Sequence, residues 1–151
     1  MEMFRRLINP RYAELFSFIT KRYGKKFLLH SDGAIYPLIP EMIEMGVDIL
    51  NPIQLRAKGM GDLSRLKREF GDSLTFWGGG VDIQHTLPFA TPREVREEVK
   101  RNLESLAPGG GFVFAATQAI QPETPPENVL AMWQALREFG VYGPKAGRIG
   151  D

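Results

Sequence analysis

Two stretches decide the fold: Phe27-Leu28-Leu29-His30-Ser31-Asp32-Gly33 and Gly46-Val47-Asp48-Ile49-Leu50-Asn51-Pro52-Ile53-Gln54. Each holds a short apolar run that breaks off in polar and turn-forming residues, as a buried strand does when it leaves a sheet. Between them Leu38, Ile39, Met42 and Ile43 fall at helical spacing. A strand, a helix and a second strand in that order make a crossover unit, whose strands lie parallel and whose connection is right-handed.

The same alternation extends in both directions. Strands are expected over Lys26–His30, Asp48–Pro52, Leu74–Gly78 and Phe112–Ala116. Helical stripes are Tyr12, Leu15, Phe16, Ile19 and Tyr23 before the first strand, then Leu63, Leu66 and Phe70, then Val95, Val99, Leu103 and Leu106. A last stripe is Val129, Met132, Trp133 and Leu136. Thr91-Pro92-Arg93-Glu94 and Thr124-Pro125-Pro126-Glu127 both read as capping boxes with a proline in the first turn. Gly24, Gly46, Gly71 and Gly140 each follow a stripe, where a left-handed helix cap is expected. The reading is an α/β fold of four parallel βα units preceded by a helix. Gly-Val-Asp-Ile occurs at 46–49 and again at 80–83, but one copy enters a strand and the other leaves one, so it is not a repeat.

Composition narrows the function classes. Among 151 residues, 19 Lys+Arg face 18 Asp+Glu, a net charge of +1. Binding to nucleic acid or an anionic membrane by bulk electrostatics is not expected from such a balance. There is no cysteine, which excludes disulfides and thiolate metal sites. Met1 to Pro10 carries Glu2, Arg5 and Arg6 without an apolar run, and no stretch reaches ~20 apolar residues, so a cytoplasmic protein is expected. Residues 1–142 read as a single domain, and 143–151, with three glycines, as a flexible tail.

In parallel βα folds ligands collect at the carboxyl ends of the strands. The first strand ends in His30 and Asp32, two residues apart and so on one face of an extended chain. An imidazole and a carboxylate placed this way suit metal binding, proton exchange or a polar substrate. They equally suit a histidine bonded to an aspartate that caps the next turn. Asn51 and Gln54 follow the second strand, as amides for substrate recognition or for turn formation. The third strand runs into Gly78-Gly79-Gly80-Val81-Asp82-Ile83-Gln84, where glycines admit close approach of a ligand or positive φ and Asp82 adds a carboxylate. Gly109-Gly110-Gly111 precedes a strand and reads as a plain turn. The fourth strand leads to Gln118, which donates and accepts hydrogen bonds but shuttles no proton. Arg56 lies in the loop after the second strand and reads as solvated, leaving these ends with carboxylates and no cation.

Taken in order, these segments resemble the uroporphyrinogen decarboxylase family, which includes corrinoid-linked methyltransferases. The matching stretches are Phe27–Gly33, Gly46–Gln54, Lys67-Arg68-Glu69-Phe70-Gly71, Gly79-Gly80-Val81-Asp82-Ile83-Gln84 and Pro126-Glu127-Asn128-Val129. The resemblance is closest to the methyltransferase-like branch. It implies a TIM-type (β/α)₈ barrel, which takes ~250 residues, so this chain corresponds to half a barrel, the carboxyl-terminal one. The methyltransferases hold zinc with a His-x-Cys pair and a distant Cys. His30 matches the histidine, whereas Asp32 stands at the cysteine position. The decarboxylases carry a late histidine where Gln118 stands, and keep essential Arg and Asp residues in the amino-terminal half.

The expected function is therefore tetrapyrrole decarboxylation or corrinoid-linked methyl transfer, completed by the missing half, with a non-catalytic binding or structural half-barrel as the rival. Asp32 and Asp82 are the expected catalytic residues. His30, Asn51, Gln54, Gly79, Gly80, Gln84 and Gln118 are expected to contact substrate. A divalent metal such as zinc, if one is used, would sit on His30 and Asp32. Expected partners are a tetrapyrrole, a corrinoid protein or a small methyl acceptor. Two exposed sheet edges also predict a homodimer or a complementary half-barrel.

Overall fold

Leu28, Leu29 and His30 pair in parallel with Ile49, Leu50 and Asn51, and these pair onward with Thr75 and Phe76, then Phe112 and Val113. The result is one four-stranded parallel sheet in the order β1-β2-β3-β4. The computed structural model describes residues 2–142, so the expected tail over 143–151 lies outside the described residues. The strands are β1 (Leu28–His30), β2 (Ile49–Asn51), β3 (Thr75–Trp77) and β4 (Phe112–Val113). The helices are α1 (Asn9–Tyr23), α2 (Ile39–Glu44), α3 (Leu63–Phe70), α4 (Thr86–Phe89), α5 (Pro92–Leu106) and α6 (Pro126–Phe139). A π-helical turn over Phe4–Ile8 leads into α1, and a 3₁₀ turn over Tyr36–Leu38 leads into α2. This is an α/β half-barrel of the expected βα order. The strands are shorter than expected. Past β4 pairing resumes as a single bridge between Val81 and Ala116, so this end of the sheet is broken by the glycine run.

Register sorts the two sheet faces. Leu29, Leu50, Phe76 and Phe112 share a row, and Leu50 and Phe76 are completely buried. They meet Leu66 of α3 and Val95, Val99, Leu103 and Leu106 of α5 in one apolar core. His30, Asn51, Trp77 and Val113 form the next row on the opposite face. No described helix covers that face as fully: Leu28 stays 40% exposed and Trp77 38%. The open face carries the polar strand ends.

Several local expectations are corrected. Thr91 makes the full capping box with Glu94, but Thr124 does not cap α6: the cap is Pro125, which has no side-chain acceptor. Gly24 and Gly46 take positive φ as expected, whereas Gly71 (φ −64°) and Gly140 (φ −83°) do not. Crowding explains the glycine at 71, since a Cβ there would clash with the Lys67 carbonyl oxygen. The stripe on α1 buries Phe16 alone, which stacks on Phe27 at 3.5 Å between ring centres. Tyr12, Leu15 and Tyr23 remain 41–60% exposed because α1 touches only the β1 end of the layer. Trp133 is 51% exposed as well; in α6 the inward positions are Ala135 and Asn128. Asn128 donates from Nδ2 to the Leu87 and Ala90 carbonyls and so ties α6 to the unexpected helix α4. No described helix is long and apolar enough to cross a membrane.

Candidate active site

Three of the four strand ends converge on Asp32. Its Oδ1 accepts from Gln54 Nε2 at 2.9 Å and from Gln118 Nε2 at 2.6 Å, and its Oδ2 lies 3.3 Å from His30 Nε2. Gln54 is itself oriented, because its Oε1 accepts the Gly33 N–H at 2.7 Å. Asn51 Oδ1 stands 2.7 Å from His30 Nδ1 while Asn51 Nδ2 donates to the Trp77 carbonyl at 3.0 Å. Residues from β1, from the loops after β2 and β4, and from the β3 backbone thus form one connected network. Both members of the His30–Asp32 pair remain about half exposed, with side chains 55% and 50% accessible. Parallel register explains the convergence: His30 sits beside Asn51, and Gln118 reaches across from the far end of the sheet.

A second cluster adjoins the first. Asp82, expected at the mouth, is buried, and its carboxylate is fully engaged. Its Oδ2 accepts from Arg56 Nε at 2.5 Å and its Oδ1 from the Gln84 N–H at 2.8 Å. Arg56 is exposed, as expected of a loop residue, but it is not unpaired: Asp82 holds its guanidinium. Arg56 stands at the strand ends and corrects the expectation that they carry negative charge alone. Glu98 of α5 accepts the Asp82 N–H at 2.6 Å and also the Thr86 hydroxyl, and so fixes the turn that presents Asp82. Gln54, Arg56, Asp82, Gln84, Thr117 and Gln118 line a cleft of about 200 Å³.

Gly79 and Gly80 are both buried and serve packing. A Cβ on Gly79 would lie 2.9 Å from Ile53 Cβ, and one on Gly80 would lie 2.8 Å from the Ala115 carbonyl oxygen. Their own carbonyls accept from Asn102 Nδ2 at 3.1 and 3.2 Å. Sequence reading missed Glu98 and Asn102 as supports of the site. Both sit in a helix whose pattern marks only a solvent face and a core face, and no local signal points to their partners 16 to 23 residues away.

The uroporphyrinogen decarboxylase family model matches residues 1–139. The chain belongs to that family. The uroporphyrinogen decarboxylase of Chromohalobacter salexigens is 32% identical over 138 residues, covering 88% of this chain and 38% of the relative. That of Pseudomonas syringae pv. tomato is 25% identical over 140 residues, covering 89% of this chain and 39% of the relative. Among solved structures, a methyltransferase from Methanosarcina mazei superposes with a TM-score of 0.69 at 25% identity, over 93% of this chain and 38% of that one. The chain thus spans less than two-fifths of the length of these relatives.

The methyltransferase branch implies zinc, and the donor set tests that. Zinc bonds of ~2.0–2.2 Å at tetrahedral angles put neighbouring donors roughly 3.3 Å apart, and His30 Nε2 to Asp32 Oδ2 is 3.3 Å. The edge fits, but the count does not. Among the described residues no group of three or more His, Cys, Asp or Glu side chains could hold a metal ion. These residues do not make a closed zinc site.

Proposed function

We propose that this chain carries the cation-stabilising wall of a tetrapyrrole decarboxylation site, with Asp32 as its central group. Decarboxylating a pyrrole acetate first adds a proton to a ring carbon, which leaves the ring cationic. The bond to the carboxyl carbon then breaks, carbon dioxide departs, and the bond's electron pair forms an exocyclic methylene that neutralises the ring. A proton added to that methylene gives the methyl group as the ring carbon gives up the proton it gained. A fixed carboxylate beside that cation lowers the barrier because it is already oriented when the charge appears. The observation that carries the reading is Asp32 itself: two amides hold it and His30 lies beside it, yet half of its side chain is open. His30 supports it as a proton carrier. With its Nδ1–H committed to Asn51, the remaining proton position is Nε2, facing Asp32 and the open sheet face.

The relatives named uroporphyrinogen decarboxylase support this reaction class. The test is turnover of uroporphyrinogen with products separated by carboxyl number. The chain alone is expected to be silent, and an amino-terminal half added in trans is expected to restore turnover. Asp32→Asn should then lower it at least ~100-fold. Turnover indifferent to Asp32→Asn, or no turnover with any complementary half, overturns the reading.

Corrinoid-linked methyl transfer is the second reading, favoured by the structural neighbour and by the 3.3 Å His30–Asp32 edge. It requires metal donors beyond the described residues. Zinc calorimetry tests its metal: heats identical for the full chain and for His30→Ala remove His30 as a zinc ligand.

A further inference from the structure

We propose that Arg56, clamped by Asp82, is the subsite for a carboxylate arm of the substrate. The identity of that arm, a pyrrole acetate or propionate, rests on the decarboxylation reading. The subsite itself rests on geometry. The cleft that Arg56 lines measures about 200 Å³, below the roughly 300–1,000 Å³ of pockets that enclose a drug-sized ligand. It suits one substituent of a larger molecule lying over the open sheet face.

The pair is asymmetric. The Asp82 side chain is 8% exposed, whereas that of Arg56 is 54% exposed. Asp82 spends one oxygen on Arg56 Nε and the other on the Gln84 N–H, so it has no free oxygen to offer a ligand. Guanidinium has five N–H donors, and among the described residues Arg56 donates from Nε alone. Its terminal nitrogens therefore remain as a forked donor edge, the geometry that matches a carboxylate in two parallel hydrogen bonds. The exposed end of the pair is thus the end with unused donors.

The clamp is braced from behind. Glu98 on α5 holds the Asp82 N–H at 2.6 Å, and the Asp82 carbonyl accepts the Leu87 N–H at 2.8 Å. Bracing removes freedom from a long side chain before the ligand arrives, and lost freedom is a main cost of binding. Gln118, which shares the cleft and donates to Asp32, links the arm subsite to the cation-stabilising carboxylate. Arm and reacting ring would thus be held by neighbouring groups of opposite charge.

The experiment is a nuclear magnetic resonance titration of the full chain, following the Arg56 Nε–H signal and the Gln84 and Thr117 amides. The probes are pyrrole acetate and its neutral amide. Pyrrole acetate should give saturable shifts at millimolar concentration and the amide none. Arg56→Gln should weaken binding at least ~10-fold, and Arg56→Lys, which keeps the charge but loses the fork, at least ~3-fold. If Arg56→Gln fails to give a folded spectrum, Arg56→Lys carries the test. The titration reads binding without turnover, so failure here is distinguishable from failure of the decarboxylation reading. Equal shifts with the amide, or undiminished affinity in the Arg56 variants, overturn the proposal.

Discussion

Asn51 Oδ1 lies 2.7 Å from His30 Nδ1, and the same amide donates from Nδ2 to the Trp77 carbonyl at 3.0 Å. Only an NH₂ group can face a carbonyl, so the β3 backbone sets the amide orientation, and the amide sets the histidine tautomer. Neutral His30 is therefore expected to carry its proton on Nδ1. Nitrogen-15 shifts of the imidazole check this, and Asn51→Ala should move the population toward the Nε2–H form. A wild-type ring protonated on Nε2 would refute the network.

The two threonines that look alike in sequence should behave differently. Thr91 accepts the Glu94 N–H and completes a capping box, so Thr91→Ala should cost about 1 kcal/mol. For a chain of this size that lowers Tm by roughly 2–4 °C. Thr124 Oγ1 is buried with no hydrogen-bond partner among the described residues. Thr124→Val should therefore be neutral or stabilising, because it removes a polar atom that gains nothing from burial. Urea denaturation of both variants decides it.

Core and surface aromatics should separate just as clearly. Phe76 is fully buried in a central strand, so Phe76→Ala should destabilise by about 3–5 kcal/mol. Trp133 is 51% exposed and lies against the Arg137 guanidinium, 5.1 Å from its ring. Trp133→Ala should cost less than about 1 kcal/mol. A large loss at Trp133 would show that α6 packs differently.

Acid should destabilise the fold within a defined window. Hydrogen bonds from the Thr91 N–H and hydroxyl hold the Glu94 carboxyl below its ordinary 4.5, and those from Arg65 and Tyr36 do the same for Glu69. At Asp48 burial pushes upward, but the Lys26 ammonium and the Phe27 N–H outweigh it and hold the group below 3.8. A carboxyl depressed in the folded state stabilises it fully above the unfolded value and loses that contribution as pH falls through the folded one. Tm should stay level on acidification to about pH 4.5 and then fall. Glu94→Gln should flatten part of that fall; an unchanged profile would argue against the cap.

Sheet edges predict association. Among the described residues β1 and β4 each pair on one side only, and the open face leaves Leu28 40% exposed, while Phe18 on α1 is 59% exposed. We propose that two copies of the chain join edge to edge and bury more than ~1,500 Å². Light scattering of the full chain should give a dimer, and Leu28→Arg should shift it toward monomer. A wild-type monomer at micromolar concentration sinks the proposal.

The order of elements was legible in the sequence because crossover βα units have local causes: apolar runs of strand length, stripes of helical period, and caps such as Thr91-Pro92-Arg93-Glu94. His30, Asp32, Gln54 and Gln118 were also legible as strand-end residues, since a parallel sheet puts its ligand-facing groups there. That Asp32 would be the common partner of the other three was not, because Gln118 lies 86 residues from it along the chain. The exposure of Arg56 was legible but its pairing was not: its partner Asp82 is 26 residues away, and a loop arginine gives no local sign of being clamped. Burial of Trp133 was misjudged because helical period marks a stripe but not whether another layer exists to cover it. Local interactions write periods and caps into sequence, whereas ion pairs, amide orientations and coverage depend on which elements the folded sheet brings side by side.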